Sequence, residues 1–242
     1  MKKFIALLIS LVIVATFAYP KKVLYKRGLF FQDKRLLVVY EIYASDKKSR
    51  MEFEDVETET KSIIITHFHD NQVIDIYLDP LVGEYYVEKT PLSDFYTNEA
   101  FMQISRISCI IKNSYYRFKG ENFRSIELKP VIKEGDNLIE IARMIMISIG
   151  DMFPEKYLDE YKNIMSNHLR NIDRSHYVGT LLAALLFPYF SDIKDMLLQG
   201  YVVVNLKTPD KVEDRVEKID FIDYNENYFI IPRGYKKARD KK

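Results

Sequence analysis

The sequence predicts an α+β fold in which helices lie on one face of an antiparallel sheet. Apolar and polar residues alternate with period two through much of positions 35–88, as in strands with one solvated face. Apolar residues then recur at helical spacing between about 98 and 199, and strand-like alternation returns after Gly200. This order of strands, helices and strands favours segregated layers over an alternating α/β fold.

Five strands are predicted in the first ninety residues. Their ranges are 35–44, 49–54, 62–69, 73–78 and 84–88. Short polar segments separate them, and Asp79 and Pro80 suit the opening positions of a turn in which Gly83 supplies a positive φ. Consecutive strands joined by such short turns predict an antiparallel meander.

Helices are predicted in the middle of the chain. Their ranges are 98–111, 137–149, 155–172, 178–187 and 192–199. Asp136 is the expected N-cap of the second helix, and Pro154 opens the third. The segment 115–133 is ambiguous and holds one or two strands. A helical block is therefore expected at about 136–200.

The remaining strands are predicted at 201–206, 215–222 and 228–231, and a basic tail follows at 237–242. No internal repeat, low-complexity run or linker divides the sequence. Residues 19–236 are therefore expected to form a single domain.

The N-terminus has the features of a secretory signal. Lys2 and Lys3 precede the uncharged run 4–19, and Thr16 and Ala18 stand at the −3 and −1 positions of a cleavage site. We expect residues 1–18 to be a signal peptide, or an uncleaved N-terminal anchor, and the protein to be exported to the periplasm or another extracytoplasmic compartment. The whole chain has 36 basic and 35 acidic residues. Cleavage after Ala18 would remove Lys2 and Lys3 and leave 34 basic and 35 acidic residues, a net charge of 34 − 35 = −1.

Composition excludes several classes of function. A formal net charge of +1 gives no basic excess for a general nucleic-acid binder, so no nucleic-acid partner is expected. One cysteine, Cys109, permits neither an internal disulfide framework nor a cysteine-built zinc site. Eight glycines, with no phosphate-loop or dinucleotide motif, predict no nucleotide cofactor, and no nucleophile motif is present. We therefore expect a protein that is not an enzyme and has no cofactor.

One string of residues bears on metal chemistry. Thr66-His67-Phe68-His69-Asp70-Asn71 resembles the metal-binding motif of metallo-β-lactamase-like hydrolases, in which two histidines flank one residue. The position that should be aspartate is Asn71, and no histidine follows it. In a strand, His67 and His69 share a face simply because they are two residues apart. Ordinary strand positions are the favoured interpretation, and a metal-dependent hydrolase using His67 and His69 remains an alternative.

The apolar residues that alternate along the strands, together with a leucine-rich segment, are the candidates for a binding groove. They are Val38, Tyr40, Ile42, Met51, Phe53, Ile74, Ile76, Leu78, Leu181, Leu182, Leu185, Leu186 and Phe190. If helix covers sheet completely, these residues only form a core. If the cover is loose, they line an apolar groove suited to acyl chains.

The order of several short motifs resembles the superfamily of periplasmic lipoprotein carriers and related exported proteins. The motifs are Arg50-Met51-Glu52, Ile76-Tyr77-Leu78-Asp79-Pro80, Tyr85-Tyr86-Val87-Glu88 and Phe229-Ile230-Ile231-Pro232-Arg233-Gly234-Tyr235. The resemblance covers roughly 33–90 and 200–236. It implies a curved antiparallel sheet, an incomplete β-barrel, with helices packed on its concave face where lipid chains are held. The family's carriers use an arginine inside the cavity, for which the sequence offers no clear equivalent.

These observations predict an exported, non-enzymatic protein that binds a lipid or lipoprotein acyl chain in an apolar groove between sheet and helices. The alternative is a structural or interaction module of the cell envelope, with a filled core and a protein partner. The metal-dependent hydrolase is the second alternative.

Overall fold

The computed structural model describes residues 21–91, 107–134, 136–174 and 191–238. Its strands are β1 (Lys22–Gln32), β2 (Arg35–Ala44), β3 (Lys48–Asp55), β4 (Lys61–Phe68), β5 (Gln72–Asp79), β6 (Glu84–Pro91), β7 (Ile107–Phe118), β8 (Glu121–Glu134), β9 (Asn137–Glu140), β10 (Arg143–Ser148), β11 (Tyr201–Lys207), β12 (Val212–Asp223) and β13 (Lys236–Lys237). Its helices are α1 (Ile149–Met152), α2 (Glu155–Arg174), α3 (Ser191–Leu198) and a 3₁₀ helix at Glu226–Phe229.

The described strands form one open sheet in the order β13-β6-β5-β4-β3-β2-β1-β12-β11-β10-β8-β7, with β9 paired to β8. Every pairing is antiparallel except the short one between β13 and β6. An N-terminal meander, β1 to β6, is joined to a second group of strands by the pairing of β1 with β12, in which Val23 lies opposite Ile222. The predicted antiparallel sheet is thus confirmed, but it dominates the fold more than predicted, and it is open rather than closed.

Most of the predicted strands and two of the predicted helices are confirmed. The meander strands β2 to β6 match the alternating segments, and β11, β12, α2 and α3 match their predicted ranges within a few residues. The turn after β5 forms as expected: Asp79 Oδ1 accepts from the N–H of Leu81, and Gly83 has a φ of 66°. The segment 115–133 lies in the β7–β8 hairpin.

Four predictions of secondary structure need correction. Residues 107–111 of the predicted helix 98–111 lie in β7, and positions 98–106 fall outside the described residues. Residues 137–148 form β9 and β10 instead of a helix, so Asp136 caps no helix and the helical block begins at Ile149. The strand predicted at 228–231 overlaps a 3₁₀ helix, and β1 was not predicted. The predicted helix 178–187 lies outside the described residues.

The β10 error has a physical reason. β10 lies between β8 and β11, and both of its faces carry apolar side chains, so its sequence MIMIS shows no polar alternation. A continuous apolar run of this kind is compatible with a buried helix or with a buried strand. β1 was missed because it also departs from strict alternation: its register shifts between Arg27 and Gly28 and again between Phe30 and Phe31.

The two faces of the sheet have different covers. On one face, Tyr161 and Ile164 of α2 pack in a cluster with Leu24, Ala44 and Phe221 of the sheet. We call this the helix-side face. A second cluster joins Leu169 of α2 and Ile193 of α3 to Leu128, Met144 and Leu206. No helix in the described part of the chain is long and apolar enough to span a membrane.

The C-terminal segment 224–237 covers part of the other side of the sheet, which we call the opposite face. Phe229 is fully buried there in a cluster with Val23, Ile65 and Leu78. The segment is held by an ion pair between Lys48 and Glu226, and by stacking of Tyr228 on Tyr43 at 4.9 Å between ring centroids. β13 then adds to the edge of β6.

Side chains of α2 form hydrogen bonds with the sheet and with its β2–β3 turn. Tyr161 Oη donates to the carbonyl of Tyr201 at 2.7 Å, and His168 Nε2 donates to the carbonyl of Ser45 at 2.7 Å. The His168 ring also packs against Phe68, with centroids 4.7 Å apart. Burial lowers the pKa of His168 from 6.5 to about 4, and the Ser45 hydrogen bond and the Asp46 charge oppose this effect only in part.

His168 is therefore expected to make stability depend on pH. Below pH 6.5 the unfolded chain binds a proton that the folded chain does not bind, so the stability is complete above that pH and falls as the pH decreases towards 4. Between pH 7 and pH 5 this group should lower the free energy of unfolding by about 2 kcal/mol, since one pKa unit corresponds to about 1.4 kcal/mol. Urea unfolding at the two pH values measures the difference.

Two variants sharpen this measurement. His168→Gln keeps an N–H donor but does not titrate, so it should lose most of that pH-dependent difference. His69→Gln alters a histidine that is exposed on the surface and should keep the wild-type difference. A His168→Gln protein that retains the full wild-type difference would contradict the assignment to His168.

Candidate functional site

The strand register divides the predicted groove residues between the two faces of the sheet. Met51 pairs with Ile64, whereas Arg50 pairs with Ile65, which in turn pairs with Ile76. Because directly paired residues share a face, Ile76 lies on the face opposite to Met51. The helix-side face carries Val38, Tyr40, Ile42, Met51 and Phe53; the opposite face carries Ile74, Ile76 and Leu78.

The three groove candidates on the opposite face lie in a packed cluster. Ile76 and Leu78 are buried with Phe229, and half-buried Ile74 packs against the same cluster. The C-terminal segment thus occupies the space above these strands. The remaining candidates, Leu181, Leu182, Leu185, Leu186 and Phe190, lie outside the described residues.

The helix-side candidates are arranged differently. Tyr40 and Met51 are buried, with 8% and 4% of their surface exposed, and Val38, Ile42 and Phe53 are half-buried. None of the five belongs to the apolar clusters that the described residues form. They form an apolar part of the helix-side face next to the area that α2 covers, and two of the five are themselves buried.

A polar group lies within this apolar surface. The Tyr40 ring crosses β1 above Gly28, and its Oη donates to Oδ1 of Asp214 on β12 at 2.6 Å. Asp214 is buried, with 4% of its surface exposed. Burial, followed by the Asp214 carboxylate, raises the pKa of Tyr40 above its usual value, which keeps the phenol protonated as the donor.

Gly28 makes this arrangement possible. A Cβ atom at position 28 would lie 2.2 Å from Tyr40 Oη and 2.3 Å from Tyr40 Cζ. These distances are far shorter than a van der Waals contact. Only glycine leaves room for the ring to lie flat across the strand.

Lys26 is the positively charged member of the group. It pairs with Ile42 and Ile219, which places it on the helix-side face, and its Nζ lies 5.7 Å from the centroid of the Tyr40 ring. Burial lowers the pKa of Lys26, and the Asp214 carboxylate opposes this effect. Among the described residues, no carboxylate lies within 4.0 Å of its ammonium group. The side chain is therefore a basic group set among apolar residues, without a direct ion pair in the described part of the chain.

Sequence reasoning missed Lys26 and Asp214 as site residues. The sequence did hold a signal for Lys26, which lies two positions after Leu24 and two before Gly28. In a strand, residues two apart point to the same face, so Lys26 shares a face with both. The helix-side face also holds a buried polar pair in which Thr66 Oγ1 donates to Asp75 Oδ1 at 2.7 Å.

His67 and His69 lie on the opposite face at the end of β4 and just beyond it. His67 Nε2 donates to the carbonyl of Phe229 at 2.9 Å, and burial lowers its pKa. The two imidazole rings are 6.4 Å apart between centroids. Across the described residues, no three His, Cys, Asp or Glu side chains converge as a metal site. The observed hydrogen bond gives His67 a structural role in holding the C-terminal segment.

The opposite face is charged where the C-terminal segment does not cover it. Tyr25 and Tyr43 both donate to the Glu41 carboxylate, at 3.0 and 2.8 Å. Burial, followed by the Glu41 hydrogen bond, raises the pKa of Tyr25 to about 12. A cleft of about 410 Å³ is lined by Tyr25 and Glu41, with Arg27 and Glu52 also in its wall. Its polar lining differs from the apolar surface around Met51.

Comparison with known proteins adds little to this description. No family model matches the chain, and no curated protein matches it. A solved structure described as "Structure of PNGF-II in C2 space group" is similar over 90% of this chain and 30% of that chain. The TM-score is 0.40 and the sequence identity is 8%, values that support no inference about function.

Proposed function

We propose that this protein is an exported, non-enzymatic binder of a lipid or lipoprotein acyl chain, and that the chain lies on the helix-side face of the sheet. The observation that carries the proposal is the apolar surface of Tyr40, Ile42 and Met51 with Lys26 set into it. An amphiphile with an acidic head group matches that combination of apolar side chains and one basic group. Burial of each methylene contributes roughly 0.8 kcal/mol, so one long chain suffices for useful affinity.

The proposed groove requires a curved sheet with helices on its concave side. Lys119 Nζ, in the β7–β8 turn, donates to the carbonyl of Ile219 on β12 at 3.3 Å, although β10 and β11 separate these strands in the sheet. Phe118 packs in the same cluster as Tyr161 and Phe221. These contacts support a sheet that bends towards α2, as in an incomplete barrel.

The leucine-rich segment 181–190 is the second wall of the groove in this proposal. The sequence of 178–187 is apolar almost all round, which is typical of a helix that contacts apolar groups on more than one side. The resemblance to periplasmic lipoprotein carriers points in the same direction, and Lys26 would take the place of the cation that those carriers hold inside their cavity.

Lipid binding can be tested directly on the purified protein. Native mass spectrometry should detect a co-purified lipid, and a fluorescent fatty acid should bind with saturable affinity. If no lipid co-purifies and no fatty acid binds, the acyl-chain proposal fails, and an envelope interaction module with a filled core is the better description.

A pair of variants on β2 locates the binding surface. Ile42→Asn places an amide on the helix-side face, whereas Val39→Asn makes a comparable change at a half-buried position on the opposite face. Ile42→Asn should weaken fatty-acid binding about tenfold or more, because a buried amide without a partner is costly to desolvate. Val39→Asn should leave the affinity close to wild type. Equal effects of the two substitutions would place the ligand elsewhere.

A further inference from the structure

We propose that a cleft at one end of the sheet, separate from the acyl-chain surface, binds a phosphate group. The cleft has a volume of about 310 Å³ and lies between the β1–β2 turn and the β11–β12 turn. Its cationic lining residues are Lys34, Lys207, Lys211 and Arg215. The proposal does not depend on acyl-chain binding.

The charge balance of the cleft is positive. Lys207 pairs with Glu213 at 3.4 Å, and Lys211 pairs with Asp33 at 3.0 Å. Four cations against these two carboxylates leave a formal charge of 4 − 2 = +2. Within the described residues, neither Lys34 nor Arg215 has a carboxylate within 4.0 Å. Two cations are thus available for an anion that enters the cleft.

Arg215 is held in place by an aromatic ring. Its guanidinium lies over the Phe31 ring, 4.9 Å from the centroid. Stacking of this kind fixes the plane of the guanidinium and leaves its N–H groups free at the edge. A planar group with several donors is well matched to the oxygens of a phosphate.

A hydroxyl group gives the second, independent observation. Thr208 lines the cleft, and its Oγ1 is buried without a hydrogen-bond partner among the described residues. Buried polar atoms are nearly always hydrogen-bonded, so an orphaned hydroxyl in a cationic cleft indicates a missing acceptor. Because the hydroxyl is closed off from solvent in this structure, a phosphate oxygen would accept from it only after a small shift of the β11–β12 turn.

The two turns are already joined in the absence of ligand. The N–H of Asp33 donates to the carbonyl of Lys211 at 3.1 Å, in addition to their ion pair. Lys34 and Lys211 both have a positive φ, 68° and 59°, as tight turns require. The cations are therefore brought together by the fold of the two hairpins, 177 positions apart in sequence.

Inorganic phosphate is the first probe. Calorimetric titration should show saturable binding that weakens as the salt concentration rises, because the contacts are electrostatic and exposed. Arg215→Gln should weaken the binding about tenfold or more, since it removes the charge-assisted donors. Lys218→Gln removes one charge from an exposed position on the same strand, outside the cleft, and should leave the affinity unchanged. Absence of phosphate binding, or equal losses in both variants, would overturn the proposal.

Thr208→Val gives a readout that does not depend on net charge. The substitution keeps the shape and removes the hydroxyl, so it should weaken phosphate binding several-fold. Without phosphate, the variant should be at least as stable as the wild type because the hydroxyl has no partner to lose. A clear loss of stability without phosphate would mean that Thr208 Oγ1 has another partner, and would remove this support.

Vesicles distinguish the two sources of a phosphate group. If the ligand is a lipid head group, phosphatidylglycerol vesicles should bind the protein, phosphatidylcholine vesicles should bind less, and Arg215→Gln should reduce the difference. If the ligand is a soluble phosphate, the titration should succeed while Arg215→Gln leaves vesicle binding unchanged. Failure of acyl-chain binding would leave both of these results intact.

Discussion

Phe229→Ala should lower the free energy of unfolding by about 3–5 kcal/mol, the usual range for truncation of a fully buried phenylalanine. Phe229 has no exposed surface and fills the cluster between the C-terminal segment and Ile65, Ile76 and Leu78. Removal of the ring leaves a cavity above these strands. The change should appear as a lower midpoint in urea unfolding, with a similar slope.

Ile230→Ala is the matched control for this experiment. Ile230 is the next residue in the chain and is 42% exposed, so its truncation should cost less than about 1 kcal/mol. Both variants retain the backbone carbonyl of Phe229 that accepts from His67. If the two substitutions are equally mild, the C-terminal segment does not form part of the core.

Gly28→Ala should also destabilise the protein, by roughly 3–5 kcal/mol. The new methyl group would lie 2.2 Å from Tyr40 Oη, so the ring must move. Overpacking costs about 1–3 kcal/mol, and loss of a buried hydrogen bond to a charged group costs about 1.5–3 kcal/mol more. Asp214 would then be buried without its phenol donor. Chemical unfolding of the variant measures the sum of these effects.

A double-mutant cycle shows whether Tyr40 is the cause. Tyr40→Leu removes the ring that the new methyl group meets, so Gly28→Ala should cost much less in the Tyr40→Leu protein than in the wild type. Interaction energies between residues in contact are typically about 0.5–3 kcal/mol. Additive losses would show that Gly28→Ala acts on the backbone alone.

The sequence predicts strands well where one face is wet. β3 alternates because its opposite face carries charged residues such as Arg50 and Glu52, whereas in β2 the signal is weaker and Glu41 marks that face. The segment of β10 fits a helix equally well because apolar side chains occupy both of its faces, so its sequence lacks the polar positions of a half-solvated strand. The 3₁₀ helix at Glu226–Phe229 was missed because its aromatic residues serve as a cover for the sheet, a role that strand propensity does not reveal.

The candidate site was only partly predictable for a related reason. Alternation within one strand divides its residues between two faces. It does not show which of these faces is continuous with which face of the next strand. That choice depends on loop length and register, and a shift of one residue exchanges the faces. The β3–β4 connection places Met51 beside Ile64, which puts Ile74, Ile76 and Leu78 on the opposite face. The link between Tyr40 and Asp214 joins residues that are 174 positions apart.

The pairing of β1 with β12 determines the order in which the sheet can assemble. β1 meets β2 across a turn in which Gln32 pairs with Arg35, but it meets β12 by pairing Gln32 with Val212, 180 positions later. Closing the longer loop costs about 3–4 kcal/mol more in chain entropy than closing the turn, and its strand pairing offsets this only after β12 has formed. The N-terminal meander can therefore form early and locally, whereas the seam that unites the sheet closes late, and Gly28, Tyr40 and Asp214 meet at that seam.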